Sequence, residues 1–444
     1  MKFAKVLPIY KRGKKDDCLS YRPINILPVI SKVLEGLIND QVVFYFESNN
    51  LFNPNQFGFR AKKGTSSAIP EMVKVLIQGV EAGENIVCKF FDMKKAFETV
   101  SHEVLLEKFT FYRFDFLALS FFKSYLCTRY QSVYYKNTSS VFLPVNFGVP
   151  QGSILGPICF LIYVNDLPVN INNNNVVKPF LFADDLAVVV RHKDKASSLN
   201  ILNKTDLLIE DWCSANNLSL NSNKTQDLIV SLKRNKSQNS VNFLGVHIES
   251  NLKWNMHVDH VTNKMAKGIF LLSRLKNCID NRSLRTVYFA HVHSHLSYGI
   301  LVWGGCSYAS KVFITQKRAI RILAGESRLA HCKQLFIKNN ILTFQAVYIL
   351  NCLMYVKDHL SDLITNDSVH SHLTRYRKDL RLSYCSSSTT KESFIEKSKR
   401  FYNTLPLELR NLERKTFKNK VLRVLLNLCP YTAAEFLDAD IRFP

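Results

Sequence analysis

Acidic side chains are scarce in this chain of 444 residues: 36 Asp and Glu stand against 59 Lys and Arg, for a formal charge of +23. That imbalance points to a polyanionic partner, nucleic acid first and an anionic membrane surface second. Paired cysteines are also missing. The 11 cysteines are odd in number and scattered, with no C-x-x-C, which excludes a disulfide framework and a structural zinc module and fits a reducing compartment. No uninterrupted apolar span exists. The uncharged window from Asn137 to Asn165 is long enough to cross a bilayer, but Pro144, Pro150, Pro157 and three glycines break it and it holds Gln151. It reads as soluble structure, so no membrane association is expected. No signal-peptide apolar region follows Met1-Lys2-Phe3-Ala4-Lys5, and no repeat of solenoid period is present. Gly64-Thr65-Ser66-Ser67 lacks the Gly-Lys-Ser/Thr spacing of a phosphate-binding P-loop.

What is present is uneven. Residues 251–444 carry 30 Lys and Arg against 14 Asp and Glu, 30 − 14 = +16, and the first 250 carry the remaining +7. The basic half is therefore the expected nucleic-acid-gripping half. The length allows two or three packed subdomains. Periodicity predicts a strand at Val6–Tyr10, a loop at Tyr21–Asn25, a helix capped by Ser31 and running to about Asn49, and a helix over Thr65–Ala82. Ile86–Phe91 reads as a strand and Ser101 as the start of a helix. Strands are expected near Gln131–Tyr135 and Val141–Phe147, a helix over Ile154–Asp166 and a solvated loop at Asn170–Asn175. An amphipathic helix over Ala196–Asn216 and short strands at Leu218–Leu220 and Asp227–Ser231 follow, then a hairpin over Asn242–Ile248. From His257 onward the pattern is helical. His291, His293 and His295 alternate as strand ligands would, but their helical surroundings spread them around an axis, so no metal site is expected there.

The chemistry concentrates in Phe180-Leu181-Phe182-Ala183-Asp184-Asp185-Leu186-Ala187-Val188-Val189-Val190. Two apolar runs flank a pair of acids, the pattern of a tight hairpin. Adjacent carboxylates repel and are costly to bury unless a cation is present. The stretch asks for a divalent metal and for a third carboxylate from elsewhere. The strand Ile86–Phe91 delivers one, Asp92.

Strand, Asp92, helix, a Gly148-Val149-Pro150-Gln151-Gly152-Ser153 loop leading to a helix, then the Asp184-Asp185 hairpin: this order resembles the palm of a reverse transcriptase. Ser20-Tyr21-Arg22-Pro23-Ile24, Gln56-Phe57-Gly58-Phe59-Arg60, Leu220-Asn221-Ser222-Asn223-Lys224-Thr225 and Phe243-Leu244-Gly245-Val246 make it most similar to the enzymes of non-LTR (LINE-type, jockey-like) retrotransposons. The resemblance implies an α+β right-hand polymerase: fingers and palm over residues 1–248, the palm an antiparallel sheet with helices on one face, a helical thumb over 249–305, and a basic, mainly helical C-terminal region over 306–444. The implied activity is RNA-directed DNA synthesis, with an RNA template, a DNA primer 3′ end and dNTPs as substrates and two Mg²⁺ ions as cofactors. Asp92 and Asp184 are the expected bridging ligands and Asp185 the lesser one. Phe97 is expected beneath the incoming sugar, rejecting a 2′-hydroxyl, and Gln151 and Gly152 against template and nucleotide. Arg60 with Lys62 or Lys63 are candidates to grip the triphosphate, since Arg pairs with phosphate in bidentate fashion. Lys224 is a candidate proton donor to pyrophosphate. Phe243, Leu244 and Gly245 match the primer grip.

One position departs from the pattern. The residue after Phe97 is commonly Asp in these enzymes and is Glu98 here. The resembled proteins have more fingers and usually an upstream endonuclease, so a piece of a longer reading frame is expected. A polymerase-derived protein that holds RNA without copying it is the alternative, and a maturase or telomerase-like relative is another. A nuclear location follows from the resemblance alone.

Overall fold

A computed structural model of the chain describes residues 2–11, 13–172, 176–232, 239–369 and 377–441. The fold is mixed α+β and divides into two compact units. Unit 1 comprises Met1–Ala68 with Ile86–Asp227, and unit 2 comprises Ile69–Asn85 with Leu228–Pro444. Among the described residues no helix is long and apolar enough to cross a membrane.

Unit 1 opens on β1 (Phe3–Tyr10), whose alternation buries Ala4 and Val6. It pairs antiparallel with β2 (Tyr21–Ile26), Pro8 opposite Pro23. Pro23 argues for a loop over Tyr21–Asn25. The segment is instead an edge strand, where a missing N–H faces no second neighbour and does no harm. The helix α1 (Val29–Ser48) starts directly after Pro28. Ser31, expected as its cap, lies inside it, buried, with no hydrogen-bond partner for its Oγ among the described residues. Helix α2 (Thr65–Glu81) passes into unit 2 at Ile69, and β3 (Asn85–Asp92) returns the chain to unit 1, followed there by α3 (His102–Phe111), α4 (Phe116–Leu126) and β4 (Arg129–Tyr135), the last parallel to β1. The expected strand over Val141–Phe147 shrinks to β6 (Leu143–Val145), after the two-residue β5 (Thr138–Ser139).

The core of unit 1 is built on α5 (Leu155–Tyr163), which buries every residue except Pro157. This accounts for the uncharged window: the apolar run is a short core helix packed on α1 and α3. A second short helix, α6 (Leu167–Ile171), takes in Asn170, the first residue of the expected solvated loop; residues 173–175 of that loop fall outside the described residues, as does Arg12. The expected hairpin is then observed, β7 (Val177–Phe182) against β8 (Asp185–His192) in continuous antiparallel register. β8 has β3 as its other neighbour. The helix α7 (Lys195–Ala215) is capped by Asp194, and Leu220 makes only an isolated bridge to Met93 in place of the expected strand.

The strand β9 (Gln226–Val230) carries the chain across the division at Asp227. In unit 2, β10 (Ser240–Phe243) and β11 (Val246–Glu249) form the expected hairpin, followed by α8 (Asn255–Leu275) and α9 (Asn281–Tyr288). Among the described residues that follow, helices predominate up to Leu437, with a non-helical stretch over residues 377–387. Phe289–His293 is wound as a π-turn, so His291 and His293 do not alternate on a strand.

Candidate active site

Two backbone devices fix the acids of unit 1. Register pairs Phe182 with Asp185, so Ala183 and Asp184 form the two-residue turn of the hairpin, with Ala183 at φ 55°. A turn of this kind requires a left-handed residue, which Ala adopts only under support. Gln56 supplies it. Its buried Oε1 accepts from Ala183 N (3.2 Å) and from Gly58 N (2.8 Å), while Phe57 N donates to Leu181 O. Asp92 ends β3, and the segment after α7 folds back onto it: Asn221 N donates to Asp92 O (2.8 Å) and Lys94 N to Ser219 O (2.8 Å). That return brings Lys224 Nζ to 2.7 Å from Asp92 Oδ2, beside Asn221 Nδ2 at 3.2 Å.

Asp92 and Asp184 line one open cavity of about 1190 Å³. Asp185 is not on its wall but lies within the same electrostatic field. Burial, then the Asp184 and Asp92 charges, push the Asp185 carboxyl up to about 6, with Lys224 and Lys11 opposing, although the residue as a whole stays exposed. Burial also raises Asp184, and the Asp92 charge adds to it, against Arg22 and Lys11. These are carboxylates held together at a cost that a cation would relieve. Among the described residues, however, no group of three or more His, Cys, Asp or Glu side chains is drawn together closely enough to hold a metal. The donor chemistry, three carboxylates, suits a hard divalent cation. In this arrangement the Lys224 ammonium supplies Asp92 with its positive charge.

The remaining expected residues separate into two groups. Phe97, Gln151 and Gly152 line the cavity with the acids. The Phe97 ring stacks on Phe160 at 4.5 Å. Gly152 has φ +110°, and a Cβ there would stand 2.6 Å from Asn25 O, so no other residue fits between the loop and β2. Glu98 also lines the cavity, its carboxyl raised by burial and opposed by Lys95.

Arg60, Lys62 and Lys63 are not on the cavity wall. The Arg60 fork is engaged elsewhere: Nε and Nη2 donate to the Glu47 carboxylate at 3.0 and 2.8 Å, Nη1 donates to Asn53 O, and the plane lies over Phe52. Lys63 donates to Pro54 O and sits over the Phe57 ring. In this arrangement the Arg60 guanidinium is engaged by Glu47 and Asn53, away from the cavity wall. The cations that do line the cavity are Lys11, Lys15, Arg22, Lys94, Lys95 and Lys224. Arg22 belongs to the Ser20-Tyr21-Arg22-Pro23-Ile24 motif, and Lys11 directly follows β1. What the sequence hid is that β1 and β2 pair and bring both to the acids.

In unit 2, Phe243, Leu244 and Gly245 form the tip of the β10–β11 hairpin, with Leu244 at φ 47° and Gly245 at φ 84°. The Tyr298 hydroxyl donates to Leu244 O and holds the tip.

A strand-end aspartate, an Asp-Asp hairpin beside it and a glycine loop between them are the parts of a polymerase palm. The chain belongs to the reverse transcriptase (RNA-dependent DNA polymerase) family, whose sequence model matches residues 11–248. Its similarity is to the enzymes of jockey-type non-LTR elements. It is 29% identical to the probable RNA-directed DNA polymerase from transposon X-element of Drosophila melanogaster, over 71% of this chain and 37% of that protein. It is 27% identical to the RNA-directed DNA polymerase from mobile element jockey of the same organism, over 73% of this chain and 38% of that protein. The chain thus spans less than two-fifths of the length of these curated relatives. Among solved structures, apo telomerase from Candida tropicalis aligns with 79% of this chain and 62% of that one at 13% identity and a TM-score of 0.45, a likeness too low to carry an inference.

Proposed function

We propose that the chain is an RNA-directed DNA polymerase that extends a DNA primer 3′ end along an RNA template, as in non-LTR retrotransposition. The observation that carries this reading is one cavity in unit 1 that holds Asp92 and Asp184 together with Lys11, Arg22 and Lys224. Asp92, Asp184 and Asp185 are the residues to hold two Mg²⁺ ions, which when bound supply Lewis-acid activation and charge neutralisation. Lys11 and Arg22 hold the triphosphate of a dNTP, Arg through its planar fork. Phe97, backed by Phe160, closes the floor under the sugar, where a rigid ring leaves no room or partner for a 2′-hydroxyl. The primer 3′ oxygen bonds to the α-phosphorus and loses its proton to solvent. The bond from the α-phosphorus to the bridging oxygen breaks, and Lys224 gives the departing pyrophosphate a proton that solvent later restores. On this reading residues 1–248 are fingers and palm, 249–305 the thumb and 306–444 a duplex-holding region, with Phe243, Leu244 and Gly245 at the primer.

A second reading, a polymerase-derived protein that binds RNA without copying it, draws on the Lys224–Asp92 ion pair, which occupies an acid that catalysis needs free. One assay separates the two: primer extension with dNTPs and Mg²⁺ on an RNA template. The polymerase reading expects extension by the wild type and a loss of about three orders of magnitude or more in Asp184→Ala, with RNA affinity nearly unchanged. Absence of extension by a folded, RNA-binding wild type would establish the second reading.

A further inference from the structure

The glycine loop after β6 is stitched to the turn that follows Asp92. Gly148 N donates to Val100 O and Val149 N to Phe97 O, both at 2.8 Å, and His102 Nε2 lies 2.9 Å from Gly148 O. Gly148 has φ +83°, and a Cβ there would stand 2.6 Å from Glu98 O, so the two segments touch backbone to backbone. On its other side the loop is held by β2, where Asn25 N donates to Gln151 O at 2.7 Å. The Gln151 backbone is therefore fixed, and its side chain retains the freedom to present either end of its amide. One contact removes that freedom: Gln151 Nε2 donates to Glu98 Oε1 at 3.2 Å. An ionised carboxylate only accepts, whereas an amide has a donor end and an acceptor end. Glu98 therefore selects the nitrogen end of Gln151 and leaves Oε1 and the second N–H for other partners. Both residues line the cavity that holds Asp92, Asp184 and Phe97.

We infer that Glu98 is a positioning residue for nucleotide binding, which sets the orientation of the Gln151 amide toward the incoming dNTP. The inference rests on the polymerase reading above. It also gives the departure at this position a role: the carboxylate that partners residue 151 is kept.

Glu98→Gln tests it, because it preserves shape and reach while offering the amide a donor and an acceptor alike. Steady-state primer extension should show KM for dNTP raised about tenfold with kcat within about twofold, as for loss of one charge-assisted hydrogen bond in the ground-state complex. Equilibrium dNTP binding to the protein with primer and template in Ca²⁺, without chemistry, should weaken by the same factor. Glu98→Asp restores the carboxylate and should bring KM back to within about threefold of the wild type. In a Gln151→Ala background, Glu98→Gln should change KM by less than about twofold, because its effect runs through the amide that is gone. A KM for Glu98→Gln equal to that of the wild type, a Glu98→Asp value as high as that of Gln, or effects that multiply in the double variant would each overturn the assignment while leaving the polymerase reading intact. A wild type that neither binds dNTP nor extends a primer would overturn both.

Discussion

Arg60 shows how a residue with the right chemistry for one task can be committed to another. Its side chain is 10% exposed, and Nε and Nη2 both donate to its partner Glu47. The Arg60 charge in turn keeps the Glu47 carboxyl below its ordinary range, the direct hydrogen bond being the main cause. Arg60→Ala would strand Glu47 and uncover Phe52, so unfolding in urea should show a loss of about 2 kcal/mol. Steady-state extension by the same variant should keep its KM for dNTP within about twofold, since the cavity cations are untouched. A large rise in KM at unchanged stability would return Arg60 to the triphosphate. Asp92, Asp184, Phe97 and Gln151 were legible as candidates because they stand in motifs that resemble the palm of a reverse transcriptase, and all four line the cavity. Arg22 and Lys11 were not, because pairing between β1 and β2 is a property of the folded sheet that neither segment encodes alone. Gln56 was legible as part of a motif, but not as the support of the Ala183 turn.

Elements were read well where one physical cause dominates. The β7–β8 hairpin follows from two apolar β-branched runs and the acids between them, and α7 from its apolar stripe. Reading failed where tertiary context substitutes for a local signal. The start of α8 is one case: Trp254 stands at its N-cap with φ 66° and no side-chain cap, and the buried Glu249 of β11 accepts from Met256 N instead. The next turn of α8 buries His257, 1% exposed, against Trp303 and beside His247 of β11. Burial, then His247, His260 and Lys264, push the His257 imidazole down to about 3, and His295 acts in the same direction on His260. The folded protein thus keeps His257 neutral while the unfolded chain protonates it below its ordinary value. Stability from this group is complete above about pH 7 and is lost as pH falls toward the folded value, by up to about 1.4 kcal/mol per pH unit. Urea unfolding at pH 7 and pH 5, followed by tryptophan fluorescence, should show a steeper loss for the wild type than for His257→Phe, which keeps a ring and removes the proton site. Parallel losses in the two proteins would show that the imidazole is protonated without penalty in the fold.

The charge asymmetry acts at the scale of the whole molecule. A net +16 over residues 251–444 is carried by a helical segment whose charges are largely on its surface, as in the helix Arg414–Leu428, where Lys415, Lys418 and Arg423 are exposed while Phe417, Val421 and Leu425 are buried. The apolar face holds that helix to unit 2 and leaves the cations unneeded for packing. Self-repulsion of this kind disfavours the compact state unless an anion offsets it. A nucleic-acid duplex does so by releasing condensed counterions, and its affinity then falls linearly on a log–log plot with salt, by about 0.9 per phosphate contacted in a B-form duplex. Fluorescence anisotropy of an RNA–DNA hybrid between low and physiological salt should therefore give a steep slope, equivalent to about six or more contacts. Replacing Lys415, Lys418 and Arg423 together by Ala should weaken binding to all duplex sequences alike and reduce the slope by about one for each side chain that met a phosphate. Because the three are distant in sequence from the cavity residues of unit 1, kcat for extension of a bound primer should be unchanged while affinity falls. A shallow slope in the wild type would mean that the basic region serves some purpose other than holding the duplex.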